Sequence, residues 1–128
     1  MTLLLDTQIL LWASILPTAL PRAAFALMND PRNTLLFSAA SIWEVAIKFA
    51  LRRDDFDTDP RVLRRALLDN GYVELPITGQ HAVSIDALPL LHKDPFDRAL
   101  VAQAMTNRLH LMTTDKRLAD YSDLVEVV

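Results

Sequence analysis

The sequence predicts an α/β fold with a mainly parallel central sheet of four to five strands and helices on both faces. Short apolar runs alternate with helical segments along all 128 residues, and no repeat, linker or low-complexity tract interrupts that order. Strands that alternate with helices form βαβ units, in which successive strands run parallel. The length suits one domain that can bury a core, so residues 1–128 are expected to form a single domain.

Five apolar runs are predicted to be strands. The first, Thr2–Leu5, is too short for its periodicity to separate strand from helix, and we interpret it as a buried strand that ends at Asp6. The other predicted strands are Thr34–Phe37, Tyr72–Leu75, Leu109–Thr113 and Leu124–Val128.

The segments between the strands carry helix signals. Asp6 or Thr7 can cap the first helix, Gly71 lies where a left-handed C-terminal cap is expected, and Asp94 followed by Pro95 is a strong helix start. The predicted helices are Thr7–Ala13, Arg22–Met28, Ser41–Leu51, Pro60–Asn70, Thr78–Ala87, 94–107 and a helical turn at Lys116–Tyr121. An acidic loop, Asp54–Asp59, and an irregular segment, Leu88–Lys93, complete the chain.

The composition of the chain excludes several classes of protein. A hydrophobic content of 52% against 23% charged residues excludes disorder, and the absence of cysteine excludes disulfides and thiolate metal sites. No apolar run reaches the roughly 20 residues that span a bilayer, and the N-terminus lacks signal-peptide features. We therefore expect a cytoplasmic protein without a membrane partner. The net charge of -3 argues against a general nucleic-acid coat but not against an enzyme that acts on nucleic acid.

Four acids occupy positions that a parallel sheet would bring together. Asp6 and Asp115 follow predicted strands, Asp97 lies in the first turn of the helix that starts at Asp94, and Glu44 is embedded in an apolar helix. Ligands bind outside the carboxyl ends of parallel strands. Converging carboxylates repel one another unless a cation neutralises them, and oxygen ligands without nearby His or Cys suit Mg²⁺ or Mn²⁺.

Each acid also has a purely structural interpretation. Asp6, Asp94 and Asp115 can cap helices or turns, and Asp97 can interact with the helix dipole. Ser41 and Glu44 have the spacing of a capping box, and Glu44 can pair with Lys48 one turn later. The Asp-Pro start fits a cap so well that Asp94 is expected to be mainly structural.

Four sequence blocks follow one another along nearly the whole chain: Leu3-Leu4-Leu5-Asp6-Thr7, Ser38 to Lys48 with the core Ser-Ile-Trp-Glu, Asp94-Pro95-Phe96-Asp97-Arg98, and Thr113-Thr114-Asp115. In this order they resemble the PIN-domain family, and within it the VapC-type toxins of toxin–antitoxin pairs. Two positions depart from many relatives. Gln8 stands where a histidine is common, and Lys116 where a small or acidic residue is common.

The resemblance implies a PIN-like three-layer sandwich with metal-dependent endoribonuclease activity. It assigns Asp6, Glu44, Asp97 and Asp115 as the acids that carry catalysis and hold one or two Mg²⁺ or Mn²⁺ ions, with Asp94 as a possible fifth ligand. It further implies an RNA substrate such as tRNA or rRNA, a homodimer, and neutralisation by a small VapB-type antitoxin. A basic side chain of that antitoxin could enter the acidic cleft.

Several residues other than the four acids are candidates for contacts with the metal, the substrate or the core. Thr7 and Thr114 are candidate hydroxyls beside the metal or substrate, although local backbone capping explains them equally well. Lys48 and Arg98 are candidate phosphate contacts, although a solvated or ion-paired role is the default for a single basic residue. His81, His92 and His110 show no metal-ligand spacing, so no chemistry is expected of them. Trp12 and Trp43 are expected to serve core or dimer packing.

Two other interpretations remain open from sequence. A PIN-like binding module with an inactive site would bind a partner without cleaving RNA. A phospho-accepting receiver domain has similar length and acids at strand ends, but Glu44 lies within a helix rather than beside Asp6. Stable phosphorylation by a small phosphodonor would support the receiver.

Overall fold

The computed structural model describes residues 1–52 and 56–128, and a five-stranded parallel sheet lies at their centre. The strands are β1 (Thr2–Leu5), β2 (Thr34–Ser38), β3 (Val73–Leu75), β4 (His110–Thr113) and β5 (Val125–Val127). All neighbouring pairs are parallel, as the alternation of strands and helices predicts. The predicted acidic loop Asp54–Asp59 lies partly outside the described residues.

The sheet order is β3-β2-β1-β4-β5, which makes β1 the central strand. The chain moves outward from β1 through β2 to β3 and then crosses to the other side, so the order reverses between β1 and β4. Ligands of open α/β sheets bind at such a reversal, outside the carboxyl ends of the strands. A receiver domain has the order 2-1-3-4-5. The observed order therefore argues against that alternative.

In residues 1–52 and 56–128, six α-helices connect the strands, each close to its predicted position. They are α1 (Thr7–Ile15), α2 (Arg22–Met28), α3 (Ala39–Leu51), α4 (Pro60–Asp69), α5 (Gly79–Asp86) and α6 (Pro95–Asn107), with 3-10 turns at Pro17–Ala19 and Lys116–Tyr121. Gly71 has a φ of 84°, the left-handed conformation expected after α4. Within the described ranges, no helix has both the length and the apolar character needed to cross a membrane.

Side chains alternate between the two faces of the sheet and create a core on each. Leu3 and Leu5 of β1 pack in one cluster with residues of α1, α2, α3 and α4. Leu4, between them, packs in the other cluster with Leu100 of α6 and Leu118 of the last 3-10 turn. Because helices cover both faces of the sheet, the strand sequences are nearly continuous apolar runs. The result is a three-layer sandwich.

The start of α3 differs from the prediction. Ser38 at the end of β2 is the N-cap, because its Oγ accepts a hydrogen bond from the Ala40 N–H at 3.0 Å and donates to Gln103 Oε1 at 2.6 Å. The helix therefore begins at Ala39, and the alternative interpretation of Ser41 and Glu44 as a capping box is wrong. Ser41 is instead buried inside the helix, where its hydroxyl accepts a hydrogen bond from Thr7 Oγ1 at 2.9 Å.

Candidate metal centre

The predicted acids meet in one cleft at the carboxyl ends of β1 and β4. The cleft has a volume of about 180 Å³. Its lining residues are Asp6, Thr7, Gln8, Leu11, Glu44, Lys48, Asp94, Asp97, Thr114 and Asp115. Four separate segments of the chain therefore bring five carboxylates to the point where the strand order reverses.

Asp6 lies at the base of the cleft, directly after β1, and only 5% of the residue is exposed. Its Oδ1 caps α1 by accepting the Ile9 N–H at 2.9 Å, and its Oδ2 accepts the Thr113 hydroxyl. Burial raises the pKa of Asp6, these hydrogen bonds partly offset the rise, and the charge of Glu44 adds to it. Asp6 is thus both the predicted cap and part of the cleft.

Thr113 is a site residue that the sequence analysis missed. Its buried hydroxyl donates to Asp6 Oδ2 and accepts the Asp115 N–H at 3.0 Å, so one side chain links the ends of β1 and β4. The expected hydroxyls were those of Thr7 and Thr114, but Thr7 donates to Ser41. Only the pairing of β1 with β4 brings Thr113 to Asp6, and this pairing is not visible in the sequence.

Glu44 reaches the cleft from the second turn of α3. The residue is 8% exposed and belongs to the buried face of the helix with Ala40, Ser41 and Val45. Its Oε2 accepts a hydrogen bond from Lys48 Nζ at 2.9 Å, which confirms the predicted pair one turn apart. This partly exposed ammonium compensates a carboxylate that would otherwise be costly to bury.

Asp94 and Asp97 belong to the start of α6. Asp94 is the N-cap, because its Oδ1 accepts the N–H groups of Phe96 at 2.8 Å and Asp97 at 3.2 Å. Burial raises the pKa of Asp97 to about 7, and the charge of Asp94 contributes next. The carboxylates of Glu44 and Asp6 raise it further, while His92 acts in the opposite direction. Burial together with the neighbouring carboxylates therefore brings the pKa of Asp97 close to neutral pH.

Asp115 has the opposite electrostatic environment. Arg117 donates from Nε to Asp115 Oδ1 at 3.0 Å and from Nη2 to Oδ2 at 2.9 Å. These contacts are the main reason that the pKa of Asp115 falls to about 2. One cleft thus holds an acid that titrates near neutral pH and another that stays ionised, a separation typical of functional sites.

His92 lies against the acids, so the expectation that no histidine is near them is wrong. Its Nε2 is 3.1 Å from Asp115 Oδ2 and 3.4 Å from Asp97 Oδ2, and its side chain is only 7% exposed. His81 and His110 contact other partners, Asn107 and Glu126. The contact could not be predicted because it depends on how the irregular segment Leu88–Lys93 packs against Arg98 of α6 and Tyr121 of the last 3-10 turn.

Arg98 holds that segment in place. Its guanidinium donates to the carbonyl oxygens of Pro89 at 3.0 Å and Ile85 at 3.1 Å, and to the Tyr121 hydroxyl at 3.2 Å. The same hydroxyl accepts the His92 N–H at 2.9 Å. Arg98 therefore binds the protein's own backbone rather than lining the cleft.

The two tryptophans have different environments. Trp12 is half-buried against the core cluster of α1 to α4, as expected. Trp43 is 60% exposed and meets Phe96 edge to face, with ring centroids 5.2 Å apart. The expectation of core packing is therefore wrong for Trp43, while a role in dimer packing remains a proposal.

The donor chemistry of the cleft fits a hard divalent cation. Its carboxylate oxygens are the ligands that Mg²⁺ and Mn²⁺ prefer, and it contains no thiolate. Burial raises the pKa of Asp6 and of Asp97, and the charges of neighbouring carboxylates raise both further in the protein alone. A bound cation would offset this negative charge, and Asp6, Glu44, Asp97 and Asp115, which line the cleft, could hold it. Among the described residues, His92, Asp97 and Asp115 have ligand atoms that all lie within 4.8 Å of one another.

Comparison with known proteins identifies the family. The model of the PIN domain matches residues 3–124, so this chain belongs to the PIN domain family. PIN domains are generally nucleases and generally use divalent metals. The comparison with curated proteins yields no match.

Solved structures share the fold along the whole chain. VapBC2 from Rickettsia felis, bound to a DNA fragment from its promoter, has a TM-score of 0.75 at 14% identity and covers 100% of this chain and 99% of its own. A toxin-antitoxin complex from Klebsiella pneumoniae has a TM-score of 0.63 at 24% identity, with 97% and 95% covered. FitAcB from Neisseria gonorrhoeae has a TM-score of 0.65 at 16% identity, and the match covers 98% of this chain and 96% of that chain. The TM-scores establish a common fold at sequence identities below 25%.

Proposed function

We propose that this chain is a cytoplasmic, Mg²⁺- or Mn²⁺-dependent endoribonuclease that acts as the toxin of a toxin–antitoxin pair. The observation that carries the proposal is the meeting of five carboxylates in one cleft at the strand-order reversal of a PIN domain. The fold shared with proteins of toxin–antitoxin complexes supports the biological role. Residues 1–128 would act as one nuclease domain.

In this proposal Asp6, Glu44, Asp97 and Asp115 hold one or two cations, directly or through water. A bound divalent cation supplies a water of lowered pKa and offsets charge on the phosphate oxygens. Thr113 orients the Asp6 carboxylate by donating to Oδ2, and Asp94 fixes the first turn of α6 on which Asp97 lies. Since one Asp94 oxygen already accepts two backbone N–H groups, its main role is structural.

Substrate contacts are proposed for residues at the rim. Lys48 and Thr114 line the cleft, and the Lys48 side chain is 43% exposed, so its ammonium is accessible to a phosphate. Thr7 also lines the cleft, but its hydroxyl is engaged with Ser41. Arg98 would act indirectly, by ordering the segment that carries His92.

Replacing Thr113 by Val tests the role of its hydroxyl. We expect the affinity for Mn²⁺, measured by titration calorimetry, to fall about tenfold, because hydrogen-bond partners of ligating groups typically contribute that much. Thr7→Val is the matched control, since this hydroxyl binds Ser41 rather than an acid, and its affinity should change less than about twofold. Equal effects of the two substitutions would contradict the role proposed for Thr113.

An antitoxin partner is proposed to cover a cavity beside α2 and reach the cleft. A cavity of about 410 Å³ lies between α1, α2 and α4, and Phe25 at its edge is 56% exposed. The chain's own Arg117 already binds Asp115 through two nitrogen donors, which supports the fit of a guanidinium to the cleft acids. An antitoxin arginine placed in the same way would compete with the metal.

A homodimer is proposed through α3. Trp43, Ile47 and Leu51 recur every four residues along one side of this helix and are 37% to 60% exposed. An apolar stripe of this kind on a helix marks a surface that favours association. A second copy of the chain is the occupant that we propose for it.

The activity is tested by incubating the purified, antitoxin-free protein with a pool of tRNA and ribosomal RNA. We expect discrete cuts with Mg²⁺ or Mn²⁺ and none with EDTA. Mapping the cut ends would identify the RNA target. A folded protein that binds Mn²⁺ but leaves every RNA intact would contradict the nuclease and favour the PIN-like binding module.

A further inference from the structure

One hydrogen bond fixes the orientation of the His92 ring and also determines which ring nitrogen carries the proton. His92 Nδ1 lies 3.0 Å from the Asp94 backbone nitrogen. A backbone N–H can only donate, so Nδ1 must be the acceptor and cannot carry a proton. The proton of the neutral ring is therefore on Nε2.

The Nε2–H group points at two acids on different parts of the chain. It donates to Asp115 Oδ2 at 3.1 Å and lies 3.4 Å from Asp97 Oδ2. Asp115 follows β4, whereas Asp97 lies in the first turn of α6. One buried N–H group therefore lies between the two carboxylates.

This arrangement excludes His92 as a metal ligand in the observed ring state. A ligating histidine binds the metal through one bare nitrogen and donates a hydrogen bond from the other. Here the bare nitrogen is Nδ1, which faces the backbone, and the nitrogen that faces the acids carries the proton. His92 acts on the carboxylates as a donor.

We propose that His92 is a positioning residue that sets the spacing of Asp97 and Asp115 by donating from Nε2, so that both acids face the metal together. The inference rests on the proposed function, since it concerns ligands of the proposed metal. Its neighbours keep the ring in place: the Tyr121 hydroxyl accepts the His92 N–H, and Arg98 donates to the same hydroxyl.

Two conservative substitutions separate the two sides of the ring. An Asn side chain at position 92 keeps an acceptor near the place of Nδ1 but is too short to replace the Nε2 donor. A Gln side chain extends an N–H donor toward the place of Nε2 and gives up the contact with Asp94. If His92 only shaped the backbone before α6, His92→Asn would preserve Mn²⁺ affinity better than His92→Gln. If His92 positions the acids, His92→Gln would preserve it better.

The experiment measures Mn²⁺ affinity by titration calorimetry for the wild type, His92→Asn and His92→Gln. We expect His92→Asn to weaken binding at least about tenfold, as outer contacts of metal ligands typically do, and His92→Gln to stay within about threefold of the wild type. His110→Asn is the matched control, because His110 also pairs with a carboxylate, Glu126 at 3.0 Å, outside the cleft. It should change affinity less than about twofold.

Asp97→Asn, measured in parallel, distinguishes a failure of the role proposed for His92 from a failure of the metal site itself. If this variant loses Mn²⁺ affinity while His92→Asn binds like the wild type, the role of His92 is overturned and the metal site stands. The same holds if His92→Gln is weakened as much as His92→Asn. If the wild type does not bind Mn²⁺, the proposed function and the role of His92 both fall.

Discussion

Asp97→Asn is expected to reduce metal-dependent RNA cleavage by at least about 100-fold. Asn has the shape of Asp but lacks the charge that a cation requires, and a metal ion contributes several kcal/mol to stabilising a phosphoryl transition state. Each 1.36 kcal/mol corresponds to about tenfold in rate, so even partial loss of the metal gives this effect. Single-turnover cleavage at saturating RNA, over a range of Mg²⁺ concentrations, measures it.

Asp69→Asn is the control for this substitution. Asp69 is an exposed acid at the end of α4 and does not line the cleft. Its removal changes the net charge by the same amount, so its cleavage rate should stay within about twofold of the wild type. Full activity of Asp97→Asn would contradict the assignment of Asp97 as a metal-holding residue.

Asp97→Asn is also expected to stabilise the metal-free protein at pH 8. The pKa of Asp97 rises from 3.8 to about 7 on folding, so between these values the folded state binds more protons than the unfolded state. The free energy of unfolding therefore falls as pH rises through this window. A shift of this size corresponds to at most about 4 kcal/mol. Since a quarter of the side chain is exposed to screening solvent, we expect roughly 2 kcal/mol.

Urea unfolding in EDTA at pH 5 and pH 8 measures this effect. The wild type should lose stability between the two pH values, and Asp97→Asn should lose less. The raised pKa of Asp6 leaves a residual slope of the same sign, whereas Asp115, with a pKa of about 2, titrates below the window. Identical pH dependence of wild type and Asp97→Asn would contradict a raised pKa of Asp97 in the folded protein.

Elements were predictable from sequence where local signals are strong. Asp94 followed by Pro95 marks the start of α6, and Gly71 marks the end of α4, because a cap or a left-handed residue is a local requirement. The start of α3 was missed because two serines compete for the cap. Ser38 is chosen because its hydroxyl also reaches Gln103, which is distant in sequence.

The meeting of the acids was predicted from the resemblance and from the position of Asp6 and Asp115 after strands. The structural and functional interpretations of the acids turned out not to be alternatives. Asp6, Asp94 and Asp115 each cap a helix or turn and also line the cleft. Helix starts bind negative charge, so a site built on them collects carboxylates.

The remaining site residues depend on long-range geometry. Thr113 reaches Asp6 only because β4 lies beside β1, and His92 reaches Asp115 only because an irregular segment folds back beside the 3-10 turn. Neither contact produces a periodic or short-range pattern. Sequence reasoning therefore identified the acids and the pairing of Glu44 with Lys48, but not the contacts that Thr113 and His92 make with the other acids.

The central claim is that the cleft acids hold a divalent cation, and anomalous diffraction from crystals grown with Mn²⁺ tests it most directly. We predict an anomalous peak in the cleft, in contact with the carboxylates of Asp6 and Asp97, and its loss in crystals of Asp97→Asn. Strong peaks at surface sites together with an empty cleft in the wild type would contradict the claim.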